Sequence, residues 1–154
     1  MNPETIDTLL PTTHISLSGA PTEKRACIEY LLDLAVDGGR VSNREKALAA
    51  LLEREQQTTT GVGMGIGIPH AKTDAVDEPL VAFTRVEDGI DFGAMDDEPA
   101  HLIFMILVPA AGSDDHLEIL SSLSRALMHE DVRESLYEAE TEQDVRDTLA
   151  EAVA

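Results

Sequence analysis

The sequence feature that most constrains the fold is a stretch of seven apolar residues, Leu102 to Val108 (LIFMILV), with no polar residue among them. A strand with one face in water alternates apolar and polar side chains, whereas a strand buried on both faces does not. The stretch is also far shorter than the about 20 residues that a membrane-spanning helix requires. It therefore predicts a central strand in a sheet whose two faces are both covered.

Strand and helix patterns alternate along the rest of the chain, which is typical of an α/β protein. No repeat or Pro/Ser-rich linker divides it, so we expect one domain over residues 1–154. The predicted architecture is a single-domain α/β sandwich, with a central mixed β-sheet flanked by helices on both faces. The predicted elements are a helix over 5–10, a strand over 14–17, helices capped by Thr22 and by Ser42 with Glu45, a strand over 80–86, a helix capped by Ser113, Asp114 or Asp115, a helix over 132–137, and a last helix opened by Thr141 and Asp144.

The charge and the cysteine count exclude several classes of function. Thirty Asp and Glu residues stand against eleven Lys and Arg, for a net charge of −19, so the chain lacks the basic face that nucleic-acid binding requires. A single cysteine, Cys27, permits neither an internal disulfide nor a cysteine-rich zinc site. The first residues, MNPETIDTLL, show no signal-peptide pattern. We expect a cytoplasmic protein that is not inserted into a membrane.

The acidic residues are spread along a chain that is 43% hydrophobic and has only three lysines. This composition differs from that of a disordered chain, which combines high charge with low hydrophobicity. It suits a folded protein in concentrated salt, because the Debye length is about 3 Å at 1 M and self-repulsion is then screened. We therefore expect the protein to come from the cytosol of a halophilic organism.

A glycine-rich run, GVGMGIGIPH at residues 61–70, carries the strongest candidate for chemistry. We interpret it as an extended segment that ends at Pro69 and presents the His70 imidazole at a sheet edge, open to solvent. A histidine in such a position acts as a general base, a ligand or a nucleophile, and a purely structural histidine is the alternative. The run matches neither the phosphate-binding loop GxxxxGK[ST] nor the dinucleotide-binding pattern GxGxxG.

Two further residues complete a candidate phosphate site. Arg54 is predicted at the end of the second long helix, and its guanidinium is suited to pairing with phosphoryl oxygens. His116 is predicted in the first turn of a later helix, where free N–H groups and the positive end of the helix dipole favour an anion. A metal site fits this set less well, because Arg54 would repel a cation. The remaining histidines are interpreted as structural: His14, His101 and His129.

Several segments together resemble the fructose/mannitol-type EIIA domain of the bacterial phosphotransferase system, whose superfamily also holds the nitrogen-regulatory EIIA protein. The proline–histidine motif with its glycine spacing is the most specific of them. Gly67 departs from the family pattern, which usually has alanine there. The matching segments cover nearly the whole chain: Arg54–Glu55, Thr58 to Gly61, Gly63, residues 65–71 (GIGIPHA), residues 91–94 (DFGA), residues 98–104 (EPAHLIF) and residues 114–117 (DDHL).

The resemblance implies a phosphotransferase component in which His70 is the phosphorylated histidine. It makes Arg54 and His116 the two partners around the phosphoryl group, and Thr60 a hydroxyl residue near the site. The phosphocarrier protein HPr would deliver the phosphoryl group. A cysteine of an EIIB domain would receive it and pass it to a sugar, expected to be fructose, that enters through the membrane component EIIC. Because donor and acceptor are both protein side chains, neither a metal nor another cofactor is expected.

Two other functions remain open from the sequence. A regulatory protein of the same superfamily would use its phosphorylation state to control binding to other proteins instead of sugar uptake. A metal-dependent enzyme that uses His70 and His116 would belong to a different class. Transfer of the phosphoryl group to an EIIB cysteine tests the first alternative, and the metal content of the purified protein and of its His70→Ala variant tests the second.

Overall fold

The apolar run lies in a strand from Ala100 to Val108, the longest uninterrupted apolar part of the sheet. The structure, a computed structural model, describes residues 3–111 and 115–153, and within them the side chains of residues 5–111 and 118–153. The helices are α1 Pro3–Leu9, α2 Lys24–Asp37, α3 Arg44–Gln57, α4 Asp115–Leu127, α5 Glu130–Glu138 and α6 Glu142–Val153, with a 3-10 helix at Thr12–His14. The strands are β1 Ile15–Ser16, β2 Gly61–Gly63, β3 Ile66–Gly67, β4 His70–Lys72, β5 Leu80–Ile90 and β6 Ala100–Val108.

Strand β6 is the centre of a mixed sheet with the strand order β1-β5-β6-β3-β2. On one edge it pairs antiparallel with β5. On the other edge it pairs in parallel with β3 near its start and with β4 near its end, so that Ile66 lies opposite Leu102 and His70 lies opposite Ile106. The predicted α/β class with a central mixed sheet is confirmed.

Both faces of β6 are covered, as the apolar run predicts. Every side chain from Leu102 to Val108 is at most 2% exposed. The even-numbered ones belong to a cluster with α1, α4, α5 and α6, and the odd-numbered ones belong to a cluster with α2 and α3. Because burying one such side chain contributes about 1.5–3 kcal/mol, a helical layer is required on each face. None of the helices in the described part of the chain is long and apolar enough to cross a membrane.

Two predicted helix caps are wrong by one residue. The N-cap of α2 is Glu23 instead of Thr22, and its carboxylate accepts hydrogen bonds from the N–H groups of Arg25 and Ala26. The N-cap of α3 is Asn43, whose side chain accepts from the Lys46 N–H. The Ser42 hydroxyl instead donates to the Ala75 carbonyl at 3.0 Å, a tertiary contact that the local sequence does not reveal.

The cap of the last helix agrees with its prediction. The Thr141 hydroxyl accepts from the Asp144 N–H, and the Asp144 carboxylate accepts from the Thr141 N–H, both at 3.1 Å. This reciprocal pair is a capping box. The predicted cap residues Ser113 and Asp114 of α4 lie outside the described residues, and α4 begins at Asp115.

The glycine-rich run is a hairpin, not the single extended segment that we predicted. Strands β2 and β3 pair antiparallel, and the chain reverses at Gly63, Met64 and Gly65, all of which have positive φ. Gly63 and Gly65 adopt positive φ readily because glycine carries no Cβ, and Met64 between them is one of the two positive-φ residues other than glycine in the described part of the chain. The Asp96 carboxylate holds the turn by accepting from the Met64 N–H at 3.0 Å.

Gly67, the departure from the family pattern, lies against the ring of Phe92. A Cβ placed on Gly67 would lie 3.1–3.2 Å from three ring atoms, which is closer than ordinary van der Waals contact. The missing methyl group thus makes room for an aromatic side chain in the cluster that contains α2 and α3.

We expect Gly67→Ala to lower the free energy of unfolding by about 1 kcal/mol, because an extra methyl group in a packed core costs about 1–3 kcal/mol and outweighs the usual advantage of alanine. Phe92→Leu in the same background should restore part of this loss. Denaturant unfolding of the wild type, both single variants and the double variant measures the coupling. A Gly67→Ala variant as stable as the wild type would contradict this account of the packing.

Candidate functional site

The candidate site lies where the end of α3 passes over the start of β4. A surface cavity of about 290 Å³ opens there, and its wall includes both Arg54 and His70. Arg54 is in the last turn of α3, and His70 is the first residue of β4. The structure thus brings together two of the four predicted site residues. The remaining lining residues are Ala50, Glu53, Gln57, Ala71 and Lys72.

His70 is more enclosed than the sequence predicts. Its relative exposure is 9%, so the imidazole is not open to solvent at a free edge. The reason is that β4 pairs with β6 throughout its length, and α3 packs against β4. The Pro69 carbonyl also accepts a hydrogen bond from the Ile106 N–H at 2.9 Å, which holds the backbone just before the histidine against the central strand.

The backbone selects the tautomer of His70. The Nδ1 atom lies 2.7 Å from the Ile68 carbonyl oxygen. A carbonyl oxygen only accepts hydrogen bonds, so Nδ1 must carry the proton. In the neutral imidazole the lone pair is then on Nε2, which makes Nε2 the nucleophilic nitrogen of this side chain.

The surroundings of His70 favour its neutral form. Burial lowers the pKa of the imidazole below its ordinary value, and the nearby Arg54 guanidinium lowers that pKa further. The hydrogen bond to Ile68 and the carboxylate of Glu55 act in the opposite direction and raise the pKa. The net direction is downward, so His70 is neutral and nucleophilic at neutral pH.

Arg54 keeps most of its guanidinium available to a ligand. Among the described residues, it makes one hydrogen bond, from Nη1 to the Thr58 carbonyl at 3.0 Å, and no ion pair. That bond also satisfies a carbonyl at the C-terminal end of α3, the structural role that a terminal arginine normally has. The guanidinium therefore shares the wall of the cavity with His70 while it retains donors suited to a phosphoryl oxygen.

Thr60, predicted as a hydroxyl residue near the site, has its hydroxyl bonded to Glu55. It is 3% exposed and is not part of the cavity wall. Its N–H donates to the Glu55 carboxylate at 2.8 Å, and its hydroxyl donates to the same carboxylate. Its carbonyl accepts from the Ile68 N–H at 3.0 Å. Thr60 therefore supports the backbone that leads to His70.

Glu55 and Lys24 were missed by sequence reasoning. They form an ion pair of 2.7 Å in which the Glu55 side chain is 9% exposed. The available signal was the acidic residue directly after Arg54, but nothing in the sequence connects it to Lys24, which lies 31 positions earlier. The pairing depends on the packing of α2 against α3.

The side chain of His116 lies outside the described residues. Its backbone is in the first turn of α4, as predicted. Two of the other histidines have structural contacts: His14 is fully buried with Nδ1 on the Val81 carbonyl, and His101 has Nδ1 on the Val86 carbonyl. Among the described side chains, no group of three or more His, Cys, Asp or Glu is arranged to hold a metal ion.

Comparison with known proteins identifies the family. The model of the phosphoenolpyruvate-dependent sugar phosphotransferase system, EIIA 2, matches residues 8–152. The fructose-specific EIIA component of a phosphotransferase system from Haloferax volcanii is 68% identical over 128 residues, which are 83% of this chain and 83% of that protein. The predicted halophilic character fits this relative.

Solved structures give the same result. The nitrogen regulatory protein IIA-Ntr from Neisseria meningitidis is 32% identical, with a TM-score of 0.83 over 94% of this chain and 99% of that one. The mannitol enzyme IIA of Escherichia coli, in its complex with phosphorylated mannitol enzyme IIB, is 28% identical, with a TM-score of 0.79 over 93% of this chain and 99% of that one.

The fold and the sequence similarity define a phosphotransferase component of the EIIA type. The chain belongs to the EIIA 2 family of phosphoenolpyruvate-dependent sugar phosphotransferase systems.

The lowered pKa of His70 predicts a pH dependence of stability. The unfolded histidine has its ordinary pKa of about 6.5, so between that value and the lower folded pKa the unfolded state binds more protons. The contribution of His70 to stability is therefore complete above pH 6.5 and is lost as the pH falls through this window.

The measurement is the free energy of unfolding of the wild type and of His70→Gln as a function of pH. His14, whose pKa burial also lowers, is present in both proteins, so the difference between the two curves isolates His70. We expect the wild type to lose stability relative to the variant as the pH falls below about 6.5. A difference that does not change with pH would show that His70 titrates normally in the folded protein.

Proposed function

We propose that this protein is the EIIA component of a fructose phosphotransferase system, and that His70 carries the phosphoryl group between HPr and an EIIB cysteine. The observation that carries the proposal is the geometry of His70, whose Nδ1 is held by the Ile68 carbonyl at 2.7 Å beside the Arg54 guanidinium. This arrangement leaves the lone pair on Nε2, in a residue that shares the wall of the cavity with Arg54. The protein would act in the cytoplasm, where HPr and EIIB meet it.

The first step is an in-line attack of Nε2 on the phosphorus of phosphorylated HPr. The new Nε2–P bond forms as the P–N bond to the HPr histidine breaks, and the electron pair of the broken bond returns to that histidine ring. The proton stays on Nδ1, which continues to donate to the Ile68 carbonyl, and this acceptor stabilises the positive charge that develops on the His70 ring. In the second step the EIIB thiolate attacks the same phosphorus and Nε2 regains its lone pair.

Arg54 would stabilise the transferring group. Charge in phosphoryl transfer is spread over the three equatorial oxygens, so catalysis depends on positioning and on electrostatic stabilisation. A guanidinium offers two parallel donors to such oxygens. His116 would add a further hydrogen bond from the first turn of α4, as the family resemblance implies, and Thr60 would act by holding the loop before His70.

The transport role has a specific observation in its favour, namely the 68% identity to a fructose-specific EIIA component. A regulatory role is the second candidate, because the nitrogen regulatory protein IIA-Ntr from Neisseria meningitidis has a TM-score of 0.83 to this chain. The two roles differ in the fate of the phosphoryl group. Incubation of the phosphorylated protein with a fructose EIIB domain should move the phosphoryl group to the EIIB cysteine. Retention on His70 would favour the regulatory role.

Replacement of His70 by alanine should abolish phosphorylation. The wild type and His70→Ala are each incubated with phosphoenolpyruvate, HPr and the enzyme that phosphorylates HPr, and their intact masses are measured. We expect one added phosphoryl group on the wild type that is lost in acid, because the P–N bond of phosphohistidine is acid-labile, and none on the variant. A stable phosphoryl group on His70→Ala would overturn the assignment of the acceptor.

Arg54→Gln should slow the transfer from HPr by about 100-fold, the effect of removing one donor from a developing anion. Arg125→Gln is a matched control, because Arg125 also lies in the last turn of a helix but is exposed and lines a different cavity, beside Ala152 and Val153. The rate is measured in a single turnover with excess phosphorylated HPr. Equal rates for Arg54→Gln and the wild type would remove Arg54 from the mechanism.

A further inference from the structure

We propose that Glu55, anchored by Lys24, is a positioning residue that fixes the tautomer and the orientation of His70 through the backbone of the glycine-rich hairpin. This inference rests on the proposed role of His70 as the phosphoryl acceptor. The evidence is a continuous path of contacts from Lys24 through Glu55, Thr60 and Ile68 to the imidazole.

The first part of the path is a buried carboxylate whose two oxygens are both engaged. Oε2 of Glu55 lies 2.7 Å from Lys24 Nζ and accepts from the Thr60 N–H at 2.8 Å, and Oε1 accepts from the Thr60 hydroxyl. The Glu55 side chain is 9% exposed. A carboxylate with so little exposure is stabilised by pairing and hydrogen bonding, and these bonds hold Thr60 against it.

The second part of the path leads from Thr60 to His70. The Thr60 carbonyl accepts from the Ile68 N–H at 3.0 Å, and the Ile68 carbonyl faces Nδ1 of His70 at 2.7 Å. Residue 68 is also fixed by its side chain, which is 2% exposed in the cluster with α4 and α6. The Ile68 carbonyl thus selects the tautomer, and the Ile68 N–H is bound by Thr60. Thr60 in turn is bound by Glu55.

Lys24 anchors the carboxylate to α2. Its Nζ lies 3.3 Å from the Phe92 carbonyl and 4.9 Å from the centre of the Phe92 ring, in addition to the ion pair with Glu55. The Thr59 hydroxyl donates to the same Phe92 carbonyl. The Phe92 carbonyl, which lies after β5, is thus bonded both by Lys24 of α2 and by Thr59, the residue before Thr60.

Glu55 also acts on His70 through its charge. Its carboxylate raises the pKa of the imidazole and partly offsets the lowering caused by burial and by Arg54. The charged residues around His70 in the described part of the chain are Glu53, Arg54 and Lys72 on the cavity wall, and Glu55 behind it. On β6, the only titratable side chain is His101, which lies five positions before Ile106, the register partner of His70. Removal of the Glu55 charge should thus make Nε2 less basic.

The test compares Glu55→Gln with Glu45→Gln, an exposed carboxylate in the first turn of the same helix. Lys24→Met is compared with Lys46→Met, whose lysine forms an exposed ion pair with Asp74. Two readouts are used: the His70 tautomer from two-bond proton–nitrogen correlation spectra, and the single-turnover rate of phosphoryl transfer from phosphorylated HPr across a range of pH. Thermal melting followed by circular dichroism verifies that each variant is folded.

In the wild type and both controls we expect the tautomer with the proton on Nδ1 and none on Nε2. In Glu55→Gln and Lys24→Met we expect signals of the second tautomer and a plateau rate lower by about tenfold, the lower end of the effect of losing a second-sphere partner. In Glu55→Gln the midpoint of the pH–rate curve should also move to lower pH. Thr60→Val, which removes the hydroxyl that donates to Glu55, should resemble Glu55→Gln.

A purely structural role for Glu55 would lower the melting temperature without altering the tautomer or the pH midpoint of the folded protein, and this result would overturn the inference. The wild-type tautomer and rate in a folded Thr60→Val variant would overturn it as well. Failure of the proposed function is a separate outcome, since it would appear as phosphorylation of His70→Ala at another residue, whatever the behaviour of Glu55→Gln.

Discussion

The structure depends on one constraint, the burial of β6 on both faces and along both edges. Because none of its side chains from Leu102 to Val108 is more than 2% exposed, helices must cover the sheet on each side. Its second edge must also be occupied, and the chain from Ile66 to Lys72 fills it as two short parallel strands. Pro69 lies between them and has no N–H to donate, but its carbonyl still accepts from the Ile106 N–H. His70 thus follows a residue that cannot donate a hydrogen bond to the sheet. The bond from the Ile106 N–H nevertheless holds the backbone against β6 at this point.

The chemistry of the site follows from its enclosure. Burial keeps the imidazole neutral, and a backbone carbonyl decides which nitrogen carries the proton. A more exposed histidine would be protonated more readily and would rotate more freely, and both changes would make it a poorer nucleophile in the proposed phosphoryl transfer. The surface beside it remains open through the cavity that Arg54 lines, so a partner can still approach. Enclosure of the ring and access to the site are therefore compatible.

The few lysines of this acidic chain are concentrated near the candidate site. The chain has a net charge of −19 and three lysines, yet two of these lysines lie near the site: Lys72 lines the cavity, and Lys24 pairs with the buried Glu55. In concentrated salt, long-range attraction between proteins is screened, whereas short contacts between partly buried groups persist. The proposed phosphoryl site would therefore depend on the short-range contacts of nearby cations and not on the overall field of this acidic protein.

The sequence by itself determined the architecture, because an uninterrupted apolar run such as LIFMILV is typical of a strand that is covered on both faces in an α/β fold. The motif around Pro69 and His70 identified the family and the candidate acceptor. The sequence also located Arg54 correctly at the end of α3, because helix length follows from local patterning. Only the tertiary structure decided the caps at Glu23 and Asn43, the hairpin within the glycine-rich run, the enclosure of His70 and the pairing of Lys24 with Glu55. The enclosure of His70 and the ion pair of Lys24 with Glu55 depend on contacts between segments that are distant in the chain. Distant contacts also engage the Ser42 hydroxyl, which bonds to Ala75, and fill the space beside Gly67 with the ring of Phe92. Local patterns of hydrophobicity carry no information about which distant side chain will occupy a given space, and for that reason the details of the site required the packed structure.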